Sequence, residues 1–168
     1  MKTEMLVVTI VSALMIASCQ DSAVLPDTGY IKSKVNGIKT IYSGSVNNNI
    51  IHYIGDDELS ASFHSTDDEY LTWTITIRGV DFQKVQLPYV IKGPGDDTQD
   101  GPVFWCNILD SNPKNSAYGR TLAGTTSLYW DAKLTLTSIE DNIVKGTFEG
   151  VGIGKTIFTD GEFMAVFN

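Results

Sequence analysis

Basic residues are scarce in this chain, and none of them is clustered. The 168 residues include 12 Lys and Arg against 20 Asp and Glu, which gives a net charge of −8. Binding to nucleic acid and adsorption to anionic headgroups both depend on patches of Lys and Arg. The twelve basic residues are scattered singly along the sequence. We therefore expect no nucleic-acid partner and no adsorption through a basic patch.

Histidine is nearly absent. His52 and His64 are the only two, and they lie twelve residues apart, which is not a metal-binding spacing. No Gly-x-Ser-x-Gly motif of a serine hydrolase accompanies them. We therefore expect a protein that acts without catalysis and without a cofactor. The alternative is an envelope glycan hydrolase, since such an enzyme needs only two carboxylates whose separation a sequence does not reveal.

The one long apolar run lies at the N-terminus and is too short to span a membrane. It begins at Met5, after Lys2, and ends at Ile16, whereas a spanning helix needs about 20 apolar residues. A charged start, an apolar centre and a small-residue exit are typical of a secretory signal peptide. The ending, Ile16-Ala17-Ser18-Cys19, resembles the lipobox of bacterial lipoproteins. We therefore predict a signal peptide over residues 1–18 and acylation of Cys19, which would anchor the protein to a membrane.

Cysteine is limited to Cys19 and Cys106. With Cys19 acylated, no disulfide can form within the chain, so the domain depends on its apolar core. Cys106 lies in an apolar stretch between Trp105 and Ile108, which favours a buried, unreactive thiol over a catalytic one.

The remaining chain divides into a short tether and one domain. Residues 19–28 are the lipidated cysteine and a polar tether, and residues 29–168 form one predicted β domain. Helical periodicity is missing, and short runs of β-branched and aromatic residues recur between Gly, Asn, Asp and Pro. Strands are predicted over Tyr30–Val35, Ile38–Ser43, Ile50–Ile54, Leu59–His64, Tyr70–Arg78, Leu87–Ile91, Val103–Leu109, Ser127–Ile139, Ile143–Gly150 and Thr156–Phe167.

Strict alternation predicts that one face of the sheet is buried and the other solvated. Trp73, Ile75 and Ile77 fall on one side of their strand, and the threonines between them fall on the other. Nine or ten such strands in one domain indicate an all-β, antiparallel sandwich or barrel. The dipeptide Asn36-Gly37 between two strands predicts a tight hairpin.

Four short segments occur in the C-terminal third, in the order Leu134–Ile139, Asp141-Asn142, Val144–Phe148 and Thr159–Phe163. This order, with the opening Val35-Asn36-Gly37, resembles small Bacteroidetes lipoproteins built on a β-rich domain of unknown function. Gln20-Asp21, directly after Cys19, resembles the acidic signal that exports such lipoproteins to the outer face of the outer membrane. The resemblance implies an extracytoplasmic β domain at the outer membrane and the cell surface, and it implies no catalytic residue.

Two glycine-rich segments partly match known ligand-binding loops, one for phosphate and one for calcium. Residues 150–156 contain Gly154-Lys155-Thr156, but position 149 is glutamate where a phosphate-binding loop requires glycine. We therefore predict a hairpin loop and no nucleotide. Asp96, Thr98 and Asp100 match the front of a calcium loop, although Asn107 stands where its closing glutamate would be. Calcium at these three residues is the alternative to a solvated turn.

Aromatic side chains supply the remaining candidate for ligand binding. Trp73 and Trp130 have the apolar parity of their strands, so we expect both in the core. Trp105 has no such assignment, and we predict it as the ligand-binding tryptophan, assisted by Tyr118 and a long polar loop over Asp110–Gly124. The ligand expected is a glycan or a protein.

Overall fold

The part of the chain that the structure describes contains eleven strands and one short 3-10 turn. The computed structural model describes residues 29–45, 49–52, 57–65, 67–93, 101–114, 120–127 and 131–167. The strands are β1 (Tyr30–Val35), β2 (Ile38–Ser45), β3 (Asn49–His52), β4 (Asp57–His64), β5 (Leu71–Arg78), β6 (Tyr89–Lys92), β7 (Val103–Asp110), β8 (Arg120–Thr126), β9 (Ala132–Glu140), β10 (Ile143–Val151) and β11 (Ile157–Val166).

The strands form one antiparallel sheet that curls into a half-barrel. Its order is β6-β9-β10-β11-β1-β2-β4-β5-β7-β8, and β3 pairs with β4 beside this path. The prediction of an all-β antiparallel fold is confirmed. Of the two architectures left open by the sequence, the barrel-like one applies, because all the strands belong to a single continuous sheet.

The β1–β2 connection is the predicted tight hairpin. Asn36 and Gly37 have φ angles of 50° and 83°, the left-handed values that a two-residue hairpin turn requires at both central positions. The strands then pair from Val35 with Ile38 to Tyr30 with Ser43. The turn is also bound to β11, the other neighbour of β1 in the sheet, because Ile157 N–H donates to Asn36 Oδ1 over 2.8 Å.

The alternation predicted for β5 is confirmed, and it defines the core. Trp73, Ile75 and Ile77 are fully buried inside the half-barrel, while the intervening threonines lie on the outer face. The Trp73 ring contacts the rings of Tyr42 on β2, at a centroid distance of 5.6 Å, and Phe148 on β10, at 5.9 Å. Trp73 therefore joins opposite parts of the curled sheet.

Strand β8 packs across the end of β10. Thr125 Oγ1 donates to the Val151 carbonyl over 2.8 Å. Glycine is required at position 152, because a Cβ there would lie 1.8 Å from the carbonyl oxygen of Gly124. The close backbone approach of these two elements therefore depends on Gly152.

One part of the strand prediction is wrong. The sequence predicted a loop over Asp110–Gly124, but β8 occupies Arg120–Thr126. The predicted strand Ser127–Ile139 is correct only from Ala132, because Ser127 lies in a turn and residues 128–130 lie outside the described ranges.

The reason for this error is that β8 has little intrinsic strand signal. Between Arg120 and Thr126 the one large apolar residue is Leu122, which is exposed. The segment is held as a strand by pairing with β7, for example Ala123 with Ile108 and Thr125 with Cys106. Tertiary pairing of this kind overrides local propensity.

Replacing Trp73 by alanine tests the importance of the aromatic contacts. We expect Trp73→Ala to lower the free energy of unfolding by about 3–5 kcal/mol, because it opens a cavity beneath Tyr42 and Phe148. Urea denaturation followed by circular dichroism measures the change.

The matched control is Trp105→Ala, on the outer face, which should cost less than about 1 kcal/mol. Equal losses for the two variants would contradict the assignment of Trp73 to the core.

Candidate functional site

The outer face of β4 and β5 carries a field of small hydroxyl side chains. All of its members are half-buried, as expected for residues in the middle of a solvated sheet face. Ser60 Oγ and Thr76 Oγ1 are 3.5 Å apart, so the hydroxyls of the two strands meet. This hydroxyl field consists of Ser60, Ser62, Thr72, Thr74 and Thr76.

Trp105 lies on the same outer face, on the neighbouring strand β7. It is paired with Thr76 of β5 on one side and Thr126 of β8 on the other. Phe104 and Cys106, its neighbours in sequence, are buried on the inner side. Trp105 is half-buried, so the structure places the tryptophan singled out by the sequence on the solvated side of the sheet.

The Arg78 guanidinium, which is bound by Glu58, lies against the indole of Trp105. The Arg78 guanidinium carbon lies 5.6 Å from the ring centroid, within the range of a cation–π contact. Glu58 accepts hydrogen bonds from Arg78 Nε at 2.9 Å and from Nη2 at 2.6 Å. The ion pair therefore holds the guanidinium at one side of the ring.

Asn107 adds an amide to the same face, two residues from Trp105. It is paired with Gly124 of β8, and a Cβ at position 124 would lie 2.1 Å from Asn107 Oδ1. Glycine at position 124 therefore makes room for the amide on the sheet surface. Together the hydroxyl field, Trp105, Arg78, Glu58 and Asn107 form what we call the Trp105 face.

A groove runs over the outer face of β9, β10 and β11. It consists of two adjoining cavities of about 440 and 230 Å³, and both are lined by Lys133 and Glu149. Lys133 Nζ lies 3.4 Å from Glu149 Oε1. Both side chains are largely exposed, and an ion pair of this kind contributes little to stability. This groove was not predicted from the sequence, because its wall residues are distant in sequence and come together only when the strands pair.

Several predicted site residues lie outside the described residues. These are Cys19, the candidate calcium ligands Asp96, Thr98 and Asp100, and Tyr118. The core prediction for Trp130 also falls outside them. Within the ranges that the structure describes, no group of three or more His, Cys, Asp or Glu side chains could hold a metal ion. No helix in the same ranges is long and apolar enough to cross a membrane.

Two carboxyl groups in the described part of the chain have a shifted pKa, and both shifts are downward. The hydrogen bond from Lys84 lowers the pKa of Asp81. Burial alone would raise the pKa of Glu162, but hydrogen bonds from Tyr30 and Lys32 lower it below its ordinary value. A general acid at neutral pH needs the opposite shift, so neither carboxyl has the electrostatics of that role.

Cys106 is a core residue, as predicted. It is fully buried, and burial raises the pKa of its thiol to about 12. Trp73 Nε1 donates to Cys106 Sγ over 3.0 Å, which lowers the pKa by a smaller amount. The sulfur thus accepts the one hydrogen bond that a buried indole needs.

The glycine-rich segment 150–156 is a hairpin connection, as predicted. It joins β10 to β11 through a 3-10 turn at Ile153–Lys155. A phosphate-binding loop would lead into a helix N-terminus, whereas this segment leads into a strand.

No known protein-family model, curated protein or solved structure matches this chain.

The raised pKa of Cys106 predicts a thiol that is unreactive in the folded protein. At pH 8 a pKa near 12 leaves about one thiolate in ten thousand molecules, and burial blocks access as well. We therefore expect no reaction with a disulfide reagent in buffer and full reaction after unfolding in guanidinium. Absorbance of the released thiolate measures this, with Cys106→Ser as the blank; rapid labelling of the folded chain would contradict the assignment.

Proposed function

We propose that this protein is a lipid-anchored binding protein of the bacterial cell envelope that holds a neutral glycan on the Trp105 face, without a catalytic step. The observation that supports this proposal is the position of Trp105. A large aromatic ring stands on the solvated side of a sheet, surrounded by hydroxyl, amide and guanidinium groups.

The composition of the Trp105 face suits a sugar. A pyranose ring has an apolar C–H side that packs on an aromatic ring and a rim of hydroxyls that need hydrogen-bond partners. Binding sites of this class combine aromatic contact area with a few placed polar groups. Trp105 supplies the aromatic contact area. Asn107 and the threonines of β5 supply the polar groups.

The ion pair beside Trp105 restricts how a ligand contacts the ring. Because the Arg78 guanidinium lies against one side of the indole, a sugar packs on the remaining side and edge. Glu58 neutralises Arg78, and the chain as a whole has a net charge of −8. Repulsion then disfavours polyanionic glycans, which is why we propose a neutral one.

The anchor in this proposal is the acylated Cys19 at the end of the predicted signal peptide. The tether after Cys19 spans about 30 Å at most, so the domain would stay close to the membrane surface. The resemblance to Bacteroidetes lipoproteins and the export-like Gln20-Asp21 support an outer-membrane location that faces outward.

Trp105→Ala should weaken glycan binding by roughly tenfold or more, which corresponds to about 1.4 kcal/mol. The loss follows from removal of the aromatic contact area while the polar groups remain. Affinity electrophoresis of the full chain through gels with dextran, mannan or xylan measures the retardation.

Val90→Ala is the matched control, since it removes an exposed apolar side chain on β6. If the parent protein binds a glycan and Trp105→Ala binds it equally well, the Trp105 face is not the binding site. Retardation only by sulfated or uronic polysaccharides would overturn the neutral ligand.

Cys19→Ala should move the protein from the membrane fraction to the soluble fraction of expressing cells, because the acyl chains provide stable anchoring. Immunoblots of the two fractions measure the shift. A variant still recovered wholly in membranes would defeat the lipoprotein proposal.

Protease treatment of intact cells tests the location of the parent protein. We expect digestion without lysis if the export interpretation of Gln20-Asp21 is correct. Protection until lysis would place the domain in the periplasm and would direct the ligand search to envelope components.

A further inference from the structure

Four exposed aliphatic side chains lie at one end of adjoining strands. Ile38 begins β2 and is 72% exposed, Ile157 begins β11 and is 50% exposed, and Ile153 in the connecting turn is 47% exposed. Val151, the last residue of β10, is also exposed and pairs with Ile157. These four residues form what we call the aliphatic tip.

Hydrogen bonds connect the turns and strands that carry the aliphatic tip. Asn36 N–H donates to the Ile157 carbonyl over 2.8 Å, and Ile157 N–H donates back to Asn36 Oδ1 over 2.8 Å. The β1–β2 turn, which carries Ile38, is thus fixed against the start of β11. Lys155 N–H donates to the Gly152 carbonyl over 3.0 Å and closes the turn that carries Ile153. The backbone segments that carry the four exposed side chains are therefore fixed against one another at one end of the sheet.

Three lysines surround the aliphatic tip. Lys39 follows Ile38 and is paired with Lys34 across the hairpin, while Lys155 lies between Ile153 and Ile157. All three are exposed. Lys34 pairs with Asp160 at 2.8 Å. These lysines are isolated in the sequence, and the fold brings them to one end of a chain that is otherwise acidic.

The tether is long enough for this end of the domain to meet the membrane. β1 has six residues, so the tip lies about 20 Å from the point at which the tether enters the domain. The nine tether residues between Cys19 and Gly29 reach about 30 Å when extended. The extended tether is thus longer than the distance from its attachment point to the tip. The tip and the acyl chains on Cys19 can therefore lie in the same bilayer surface.

We propose that the aliphatic tip inserts into the interface of the membrane that carries the lipid anchor. Ile38, Ile153 and Ile157 would enter the boundary between headgroups and acyl chains, and the lysines would lie at the level of the lipid phosphates. This inference rests on the proposed acylation of Cys19. It adds a second contact that orients the domain, where the acyl chains alone would only tether it.

An environment-sensitive label on the tip tests the proposal in the full, acylated chain. A nitrobenzoxadiazole group is attached to Ile153→Cys, and separately to Ile157→Cys, in the detergent-solubilised protein, which is then reconstituted into phosphatidylcholine vesicles with or without phosphatidylglycerol. Cys106 is buried and Cys19 would be acylated, so the introduced thiol is the one labelled. The matched control is Val90→Cys on β6, which is 42% exposed in the parent.

Insertion predicts a blue-shifted emission at both tip positions and at least about twofold stronger quenching by acyl-brominated lipid than at position 90. Phosphatidylglycerol should strengthen the effect through the lysines. Vesicle flotation of the parent tests the anchor separately. Flotation with unquenched tip labels would overturn the tip proposal alone, and failure to float would overturn the anchor and the tip together. Tip labels shielded from iodide before vesicles are added would show a protein contact, from a second copy or a partner, and would also overturn it.

Discussion

The packing of Trp73 against rings from distant strands is the interaction on which the half-barrel depends. The hydrogen-bonded path of the sheet ends at β6 and β8, so backbone pairing along the path does not by itself hold the curl closed. The rings of Tyr42, Phe148 and Phe158 meet Trp73 from β2, β10 and β11. In a complete barrel, hydrogen bonds between the first and last strands hold the sheet in its curved form. Here the contacts between aromatic rings perform that role.

The same packing determines what the outer surface can present. Once alternate residues of β5 and β7 are committed to the interior, Trp105 has to face outward, because Phe104 and Cys106 on either side of it are buried. The core thus tolerates few changes, whereas the outer residues are constrained mainly by strand propensity. Polar and aromatic groups on that surface can serve binding without a large cost in stability.

Local patterns in the sequence predicted the parts of this structure that depend on neighbouring residues. The Asn36-Gly37 hairpin, the alternation in β5 and the buried Cys106 are of this kind. The groove and the aliphatic tip were not predicted, because their members meet only through the register of β1, β9, β10 and β11. Bulges in that register, such as the one between Phe148 and Gly150, shift which residues share a face, and no local pattern reveals them.

The proposed lipid anchor and the proposed binding face complement each other physically. The Trp105 face is an open sheet surface with one aromatic ring, and such a surface excludes little water and binds a single sugar unit weakly. A polysaccharide repeats that unit many times, and copies anchored in one membrane would engage it together. Each further contact is then intramolecular, so avidity can exceed the single-site affinity by about 10²–10⁴. An anchor within about 30 Å of the domain would therefore make a low-affinity face sufficient for the proposed retention of glycan at the cell surface.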